Sequence, residues 1–271
     1  MTQPGSAPPV RLVIVGHVDH GKSTLIGRLL YDTDSVPEGI LDRVREASRE
    51  GEDLQFEFIT DHLAEERRDA KTIDTTQVFF HGGGRHYVII DTPGHAEFIK
   101  NMFTGASRAD AALVVVDAAE GVRKQTLAHC NVLGLLGIRY VVPMVNKMDK
   151  VGYSREQFEE AAGAVEARLK ELGIEPQPAV PLSALRGDNI VERSAQMPWY
   201  SGPALLEALA GIPDPASPAE QPMRFAVQGV FDVDGRQMYL GRVEAGTLRA
   251  PQAVRLMPGE TENTVEAIEV F

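Results

Sequence analysis

A chain of 271 residues with 43% hydrophobic content has room for one domain of ordinary size and a smaller second one. The formal net charge of −12 argues against generic nucleic-acid binding, which needs clustered Lys and Arg, and so against DNA as a partner. Cys130 is the one cysteine, which excludes an internal disulfide, and no apolar stretch reaches the roughly 18 residues of a membrane span, so the expected setting is cytoplasmic with no membrane partner.

Residues 1–9 carry no signal-peptide pattern and read as a flexible tail. The apolar run 11–15 predicts a strand, and 22–31 predicts a helix. Between them stands Gly16-His17-Val18-Asp19-His20-Gly21-Lys22-Ser23, which fits G-x-x-x-x-G-K-[ST] at every fixed position and continues into Thr24. Such a loop turns successive N–H groups, and a helix N-terminus, toward a phosphate. Lys22 can reach the β- and γ-phosphates, and Ser23 can ligate Mg²⁺.

A long segment, about 32–74, follows with helical patterns at 38–50 and 54–68; connections of this length are usually functional. Strands are predicted at 75–81 and 86–91, joined by Gly82-Gly83-Gly84-Arg85 as an antiparallel hairpin. Asp91-Thr92-Pro93-Gly94-His95 comes next. Asp91 suits Mg²⁺ binding through water, the Gly94 N–H can sense a γ-phosphate, and His95 is placed to orient an attacking water.

Further along, helices are expected at 95–106, 122–136, 155–172 and 201–210, and strands at 111–117, 140–145 and 179–182. Ser154 and Gln157 have capping-box spacing ahead of the third of these helices. Asn146-Lys147-Met148-Asp149 follows the strand 140–145 and reads as N-K-x-D. The Asp149 carboxylate can accept from the N1–H and 2-amino group of guanine, whereas adenine would leave it unpaired. The Lys147 stem can lie across the base, and Asn146 can tie this loop to the phosphate loop. Ser183-Ala184-Leu185 looks like the companion loop whose backbone N–H meets guanine O6.

The expected fold is α/β: a P-loop GTPase domain over 10–211, with a six-stranded, mostly parallel sheet and one antiparallel hairpin. A proline-rich linker, 212–221, leads to a partial β-barrel over 222–271 with strands at Met223–Gln228, Gln237–Glu244, Ala253–Met257 and Thr264–Phe271. The sequence stops mid-barrel, so the chain is expected to be a piece of a longer protein.

G-H-V-D-H-G-K-S, D-T-P-G-H and N-K-M-D together resemble the translation-factor GTPases, including elongation factors Tu and 1-alpha. More closely, the chain resembles the GTP-binding large subunit of bacterial ATP sulfurylase (sulfate adenylyltransferase subunit 1). That choice rests on Leu30-Tyr31-Asp32-Thr33 with Val36-Pro37-Glu38-Gly39, on Gly121–Thr126 following its strand directly, and on Gly187-Asp188-Asn189 with Met197–Pro203. The resemblance implies binding of GTP and GDP with Mg²⁺, and hydrolysis of GTP to GDP and phosphate. It makes 32–75 the first switch and 91–106 the second. Lys22, Thr72 and His95 become the catalytic set, and Ser23, Thr72 and Asp91 the metal set. Lys71 stands where the family usually has Ile, one apolar wing of a gate before the histidine. The implied task is to couple GTP hydrolysis to formation of adenylyl sulfate from ATP and sulfate, with the small catalytic subunit of ATP sulfurylase as partner. The alternative is an elongation-factor-like GTPase that delivers aminoacyl-tRNA or a release factor to the ribosome.

Overall fold

The computed structural model of the chain describes residues 8–47, 54–69, 76–91, 106, 109–214, 220–233 and 235–269. It divides into two compact units, residues 1–214 and 215–271.

The first unit is built on one sheet of six strands in the order β2-β3-β1-β4-β5-β6. These are β1 (Val10–Gly16), β2 (Thr76–Gly82), β3 (Arg85–Asp91), β4 (Ala111–Asp117), β5 (Tyr140–Asn146) and β6 (Val180–Pro181). β2 and β3 pair antiparallel, and every other pairing is parallel. The β2–β3 turn is Gly83-Gly84 with φ of 57° and 76°, the two positive values that a tight two-residue hairpin needs. The helices are α1 (Lys22–Asp32), α2 (Ile40–Ala47), α3 (Glu57–Asp69), α4 (Lys124–Leu136), α5 (Arg155–Glu171) and α6 (Leu205–Ala210).

Side-chain alternation along β1 assigns the two layers. Leu12 and Ile14 pack with Leu25 and Leu29 of α1, Ile59 of α3 and Leu205 of α6. Val13 and Val15 pack with Cys130 and Leu133 of α4 and with Val165 and Leu169 of α5. Helices therefore cover both faces, and β4, buried at all seven positions, can be continuously apolar. β1 leaves toward β3 on one side while β4 adjoins its other side, so the carboxyl end of β1 is a switch point, where α/β sheets open a crevice for ligands.

Several element boundaries differ from those the sequence predicts. α4 begins at Lys124 rather than 122 because Arg123 is extended, with φ −108° and ψ 162°. α6 begins at Leu205 rather than 201; Pro203 biases the residue before it away from helix, and Ala204 is extended. β6 is short, and one further bond to β5, from the Leu182 N–H to the Val145 carbonyl at 2.8 Å, follows it. α5 starts where the capping spacing puts it, with the Gln157 N–H donating to Ser154 Oγ at 3.3 Å. Of the helix expected at 95–106, only Ala106 lies within the described residues.

The second unit holds β7 (Arg224–Val233), β8 (Arg236–Ala245), β9 (Gln252–Leu256) and β10 (Thr261–Val265). They form two separate antiparallel hairpins, β7–β8 and β9–β10, rather than one continuous barrel sheet. β10 starts earlier than the expected strand at 264–271, because the turn after Met257 sets Thr261 directly opposite Leu256. Among the described residues no helix is long and apolar enough to cross a membrane.

Candidate functional site

The carboxyl end of β1 carries the phosphate loop. Gly21, with φ 84°, caps α1, and a Cβ there would lie 2.5 Å from Asn146 Nδ2; only glycine lets the loop pass this close. Lys22 is 8% exposed, and its Nζ donates to the Gly16 carbonyl at 3.1 Å and the His17 carbonyl at 2.8 Å. Burial lowers its pKa, opposed by the carboxylates of Asp91 and Asp19. A largely buried ammonium that donates to two backbone carbonyls is ready to exchange them for phosphate oxygens. Ser23 follows in the first turn of α1. Asp91, at the end of β3, pairs in register with Ile14 of β1, which brings its charge toward Lys22.

Asn146, at the end of β5, is 1% exposed and joins three loops. Its Nδ2 donates to the His20 carbonyl at 2.9 Å, and its Oδ1 accepts from Lys147 N at 2.8 Å and Ala184 N at 3.0 Å. Asp149 Oδ1 accepts from Ser183 Oγ at 2.6 Å, which fixes that carboxylate. Lys147, with φ 63°, turns its stem back over the phosphate loop, so that Nζ meets the Asp19 carbonyl and Asp117 Oδ2, the latter at 2.8 Å. Asn146, Lys147 and Asp149 thus stand with Ser183 and Ala184 beside Gly21, while Leu185 is 40% exposed at the loop tip.

Several supporting residues are not evident from the motifs. Asp117, 2% exposed at the end of β4, is held by Lys147 and by the N–H groups of Ala119 and Glu120. Burial pushes its pKa up, but these partners outweigh it, and the net shift is downward. Its sequence signal was a lone carboxylate closing the apolar run of β4. Gln125 and His129, four apart on α4, brace the back of the phosphate loop. His129 Nδ1 accepts the Gly16 N–H at 3.3 Å. Gln125 Oε1 accepts the Val18 N–H at 3.4 Å and meets His17 Nδ1 at 2.7 Å. Burial, aided by the charges of Lys22 and His17, lowers the His129 pKa to about 4, so its acceptor lone pair persists at neutral pH. His20 Nδ1 lies 3.3 Å from the Asp117 N and 3.4 Å from the Val115 carbonyl oxygen, and its Nε2 is 3.7 Å from Glu120 Oε2. Gly94, His95, Lys71 and Thr72 lie outside the described residues.

A strand–loop–helix phosphate site joined to a guanine-type base loop defines a nucleotide-binding α/β protein. Residues 8–214 match the family model described as the elongation factor Tu GTP binding domain, and the chain belongs to that family. It is 45% identical to elongation factor 1-alpha of Pyrococcus woesei over 262 residues, covering 96% of this chain and 61% of that protein. It is 46% identical to elongation factor 1-alpha of Pyrococcus furiosus over 259 residues, covering 95% and 60%. Among solved structures it is similar to sup35 complexed with GMPPNP, with a TM-score of 0.56 and 27% identity, covering 97% of this chain and 58% of that one. It is also similar to the bacterial selenocysteine-specific elongation factor EF-Sec, with a TM-score of 0.54, 25% identity, and 95% and 38% coverage. The chain spans about 60% of the length of the curated relatives it matches.

These relatives overturn the expected partner. They are named elongation factor 1-alpha, and the small subunit of ATP sulfurylase is withdrawn, as is the sulfate-activation reading that depended on it. The physical reason lies in the segments that carried that choice. Thr33 Oγ1 caps α1 by donating to the Leu29 carbonyl at 2.7 Å. Gly121, with φ 65°, closes a turn on the Asp117 carbonyl. Met197 and Tyr200 are buried, and Trp199 Nε1 donates to the Tyr153 carbonyl at 3.0 Å. These residues cap and pack within the domain and carry no information about a partner surface.

Proposed function

We propose that the chain is the nucleotide-binding part of a translation-factor-type GTPase. It binds GTP and GDP, hydrolyses GTP to GDP and phosphate, and through that cycle carries an aminoacyl-tRNA to the ribosome. The observation that carries the nucleotide reading is the position of Asn146, whose one amide links phosphate loop, N-K-x-D loop and Ser183 loop. Asp149, fixed by Ser183, reads the guanine N1–H and 2-amino group. Lys22 and the loop N–H groups take the phosphates. Hydrolysis assigns water positioning to His95, and switch contacts to Thr72.

The donor set fits Mg²⁺: the Ser23 hydroxyl in the first turn of α1 and the Asp91 carboxylate on the adjoining strand are hard oxygen donors facing the same loop as Lys22. Ser23 and Thr72 would hold the ion directly, and Asp91 through water. When bound, Mg²⁺ supplies charge neutralisation across the β- and γ-phosphates.

The cargo reading rests on the names of the relatives, elongation factor 1-alpha. It is tested by the lifetime of the ester bond of aminoacyl-tRNA incubated with the protein. Protection with GTP and none with GDP is the expected result. Equal, unprotected decay with both nucleotides, in a preparation that binds GTP, would remove the cargo.

A further inference from the structure

We infer that Arg28 is a positioning residue for the base-reading loop, held in place by the helical insert between α1 and β2; this rests on the guanine reading above.

Thr24, Gly27, Arg28 and Tyr31 are spaced i, i+3, i+4, i+7 and share one face of α1. That face carries the start of α3. Thr24 Oγ1 donates to Glu57 Oε2 at 3.1 Å. Gly27 admits the Phe56 backbone, since a Cβ there would lie 1.9 Å from the Phe56 carbonyl oxygen. The Tyr31 and Phe56 rings meet edge-on at 5.5 Å. Arg28 completes the face, its guanidinium carbon 5.0 Å from the centre of the Phe56 ring.

The same guanidinium reaches the far side of the nucleotide site. Nε donates to Asp32 Oδ2 at 2.8 Å, and Nη1 donates to the Leu185 carbonyl at 3.4 Å. Nη2 lies against Gly187, where φ is 82° and a Cβ would stand 2.0 Å away. The Ser183–Asp188 turn is tied on its inner side by Asn146 and Asp149. Its tip is closed on itself, by the Arg186 N–H to Ser183 Oγ at 3.2 Å and the Gly187 N–H to the Ser183 carbonyl at 2.8 Å, and the Leu185 side chain beyond them is 40% exposed. Arg28 holds that tip by its backbone. A planar fork can pair with a carboxylate, donate to a carbonyl and lie on a ring at once, which a lysine ammonium cannot do. Docking of the insert through Phe56 is thereby transmitted to the loop whose backbone is assigned to guanine O6.

The two halves of base recognition can be separated. Asp149 reads N1–H and the 2-amino group, whereas the 183–185 backbone reads O6. The experiment measures affinities for GDP, IDP (no 2-amino group), 6-thio-GDP (sulfur for O6) and ADP, in wild type, Arg28→Ala, Arg28→Gln and Phe56→Leu. Arg28→Ala should weaken GDP by about five- to tenfold, the scale of one lost hydrogen bond. The GDP to 6-thio-GDP preference should fall toward unity while the GDP to IDP preference holds. Arg28→Gln, whose amide reaches only as far as the Nε that pairs with Asp32 and so cannot reach Leu185, should lower the first preference as Arg28→Ala does. Phe56→Leu, which keeps the site apolar but removes the ring face, should lower it part of the way. Both preferences unchanged, or both falling together, would overturn the proposal. A wild type that binds ADP as well as GDP would overturn the guanine reading instead.

Discussion

His129 shows how a residue outside any motif serves the site. Its Nδ1 must stay unprotonated to accept the Gly16 N–H, and burial keeps it so by lowering the pKa from 6.5 to about 4. The linkage has a definite sign. Below pH 6.5 the unfolded chain takes up a proton that the folded chain refuses, so stability falls as pH drops from 6.5 toward 4 and this contribution is absent above 6.5. By pH 5 the penalty is about 2 kcal/mol. His129→Gln retains an acceptor without the titration. Denaturant unfolding of both forms should show the wild type losing stability relative to the variant by that amount between pH 7.5 and 5; parallel pH profiles would show that His129 is not held neutral. His95 is a residue of the opposite kind, assigned by motif and family. His95→Ala should lower single-turnover GTP hydrolysis by about 10²–10⁴-fold, the range for a group that assists proton transfer, with GDP affinity unchanged. Hydrolysis within a factor of about two of wild type would assign the water to another group.

At the scale of elements, what could be read from the chain was what is local in it. The phosphate loop, the N-K-x-D turn, the Gly83-Gly84 hairpin and the Ser154 cap are each contiguous, and a few residues of the right type suffice to specify them. Ser154→Ala should cost about 1 kcal/mol, the usual worth of an N-cap, seen as a lowered unfolding midpoint with nucleotide affinity unaltered; a midpoint unmoved would mean that the Gln157 N–H finds water equally well. Helix starts were less legible, because Arg123 and Ala204 leave the helical region under the influence of neighbouring chain rather than of their own propensity. The braces of the site were not legible at all. His129 meets Gly16 across 113 positions, and Arg28 meets Leu185 across 157. No periodicity or spacing reports such a pairing; it exists only once the sheet order has brought α4 and α1 to the two sides of β1.

At the scale of the whole molecule, net charge does not choose a partner. A sum of −12 over 271 residues says nothing of where the cations lie, and relatives named elongation factor 1-alpha match nearly the entire chain. The central claim is that one carboxylate, Asp149, fixed by Ser183 and linked through Asn146 to the phosphate loop, reads a guanine base. Titration of wild type and Asp149→Asn with GDP and with XDP tests it directly. The 2-oxo group of xanthine needs a donor where guanine needs an acceptor, and an amide offers one. The wild type should prefer GDP by at least about a hundredfold, since an unmatched buried polar pair costs a few kcal/mol, and the variant should reverse that order. A variant that keeps the wild-type preference, or a wild type that does not distinguish the two, would contradict the account.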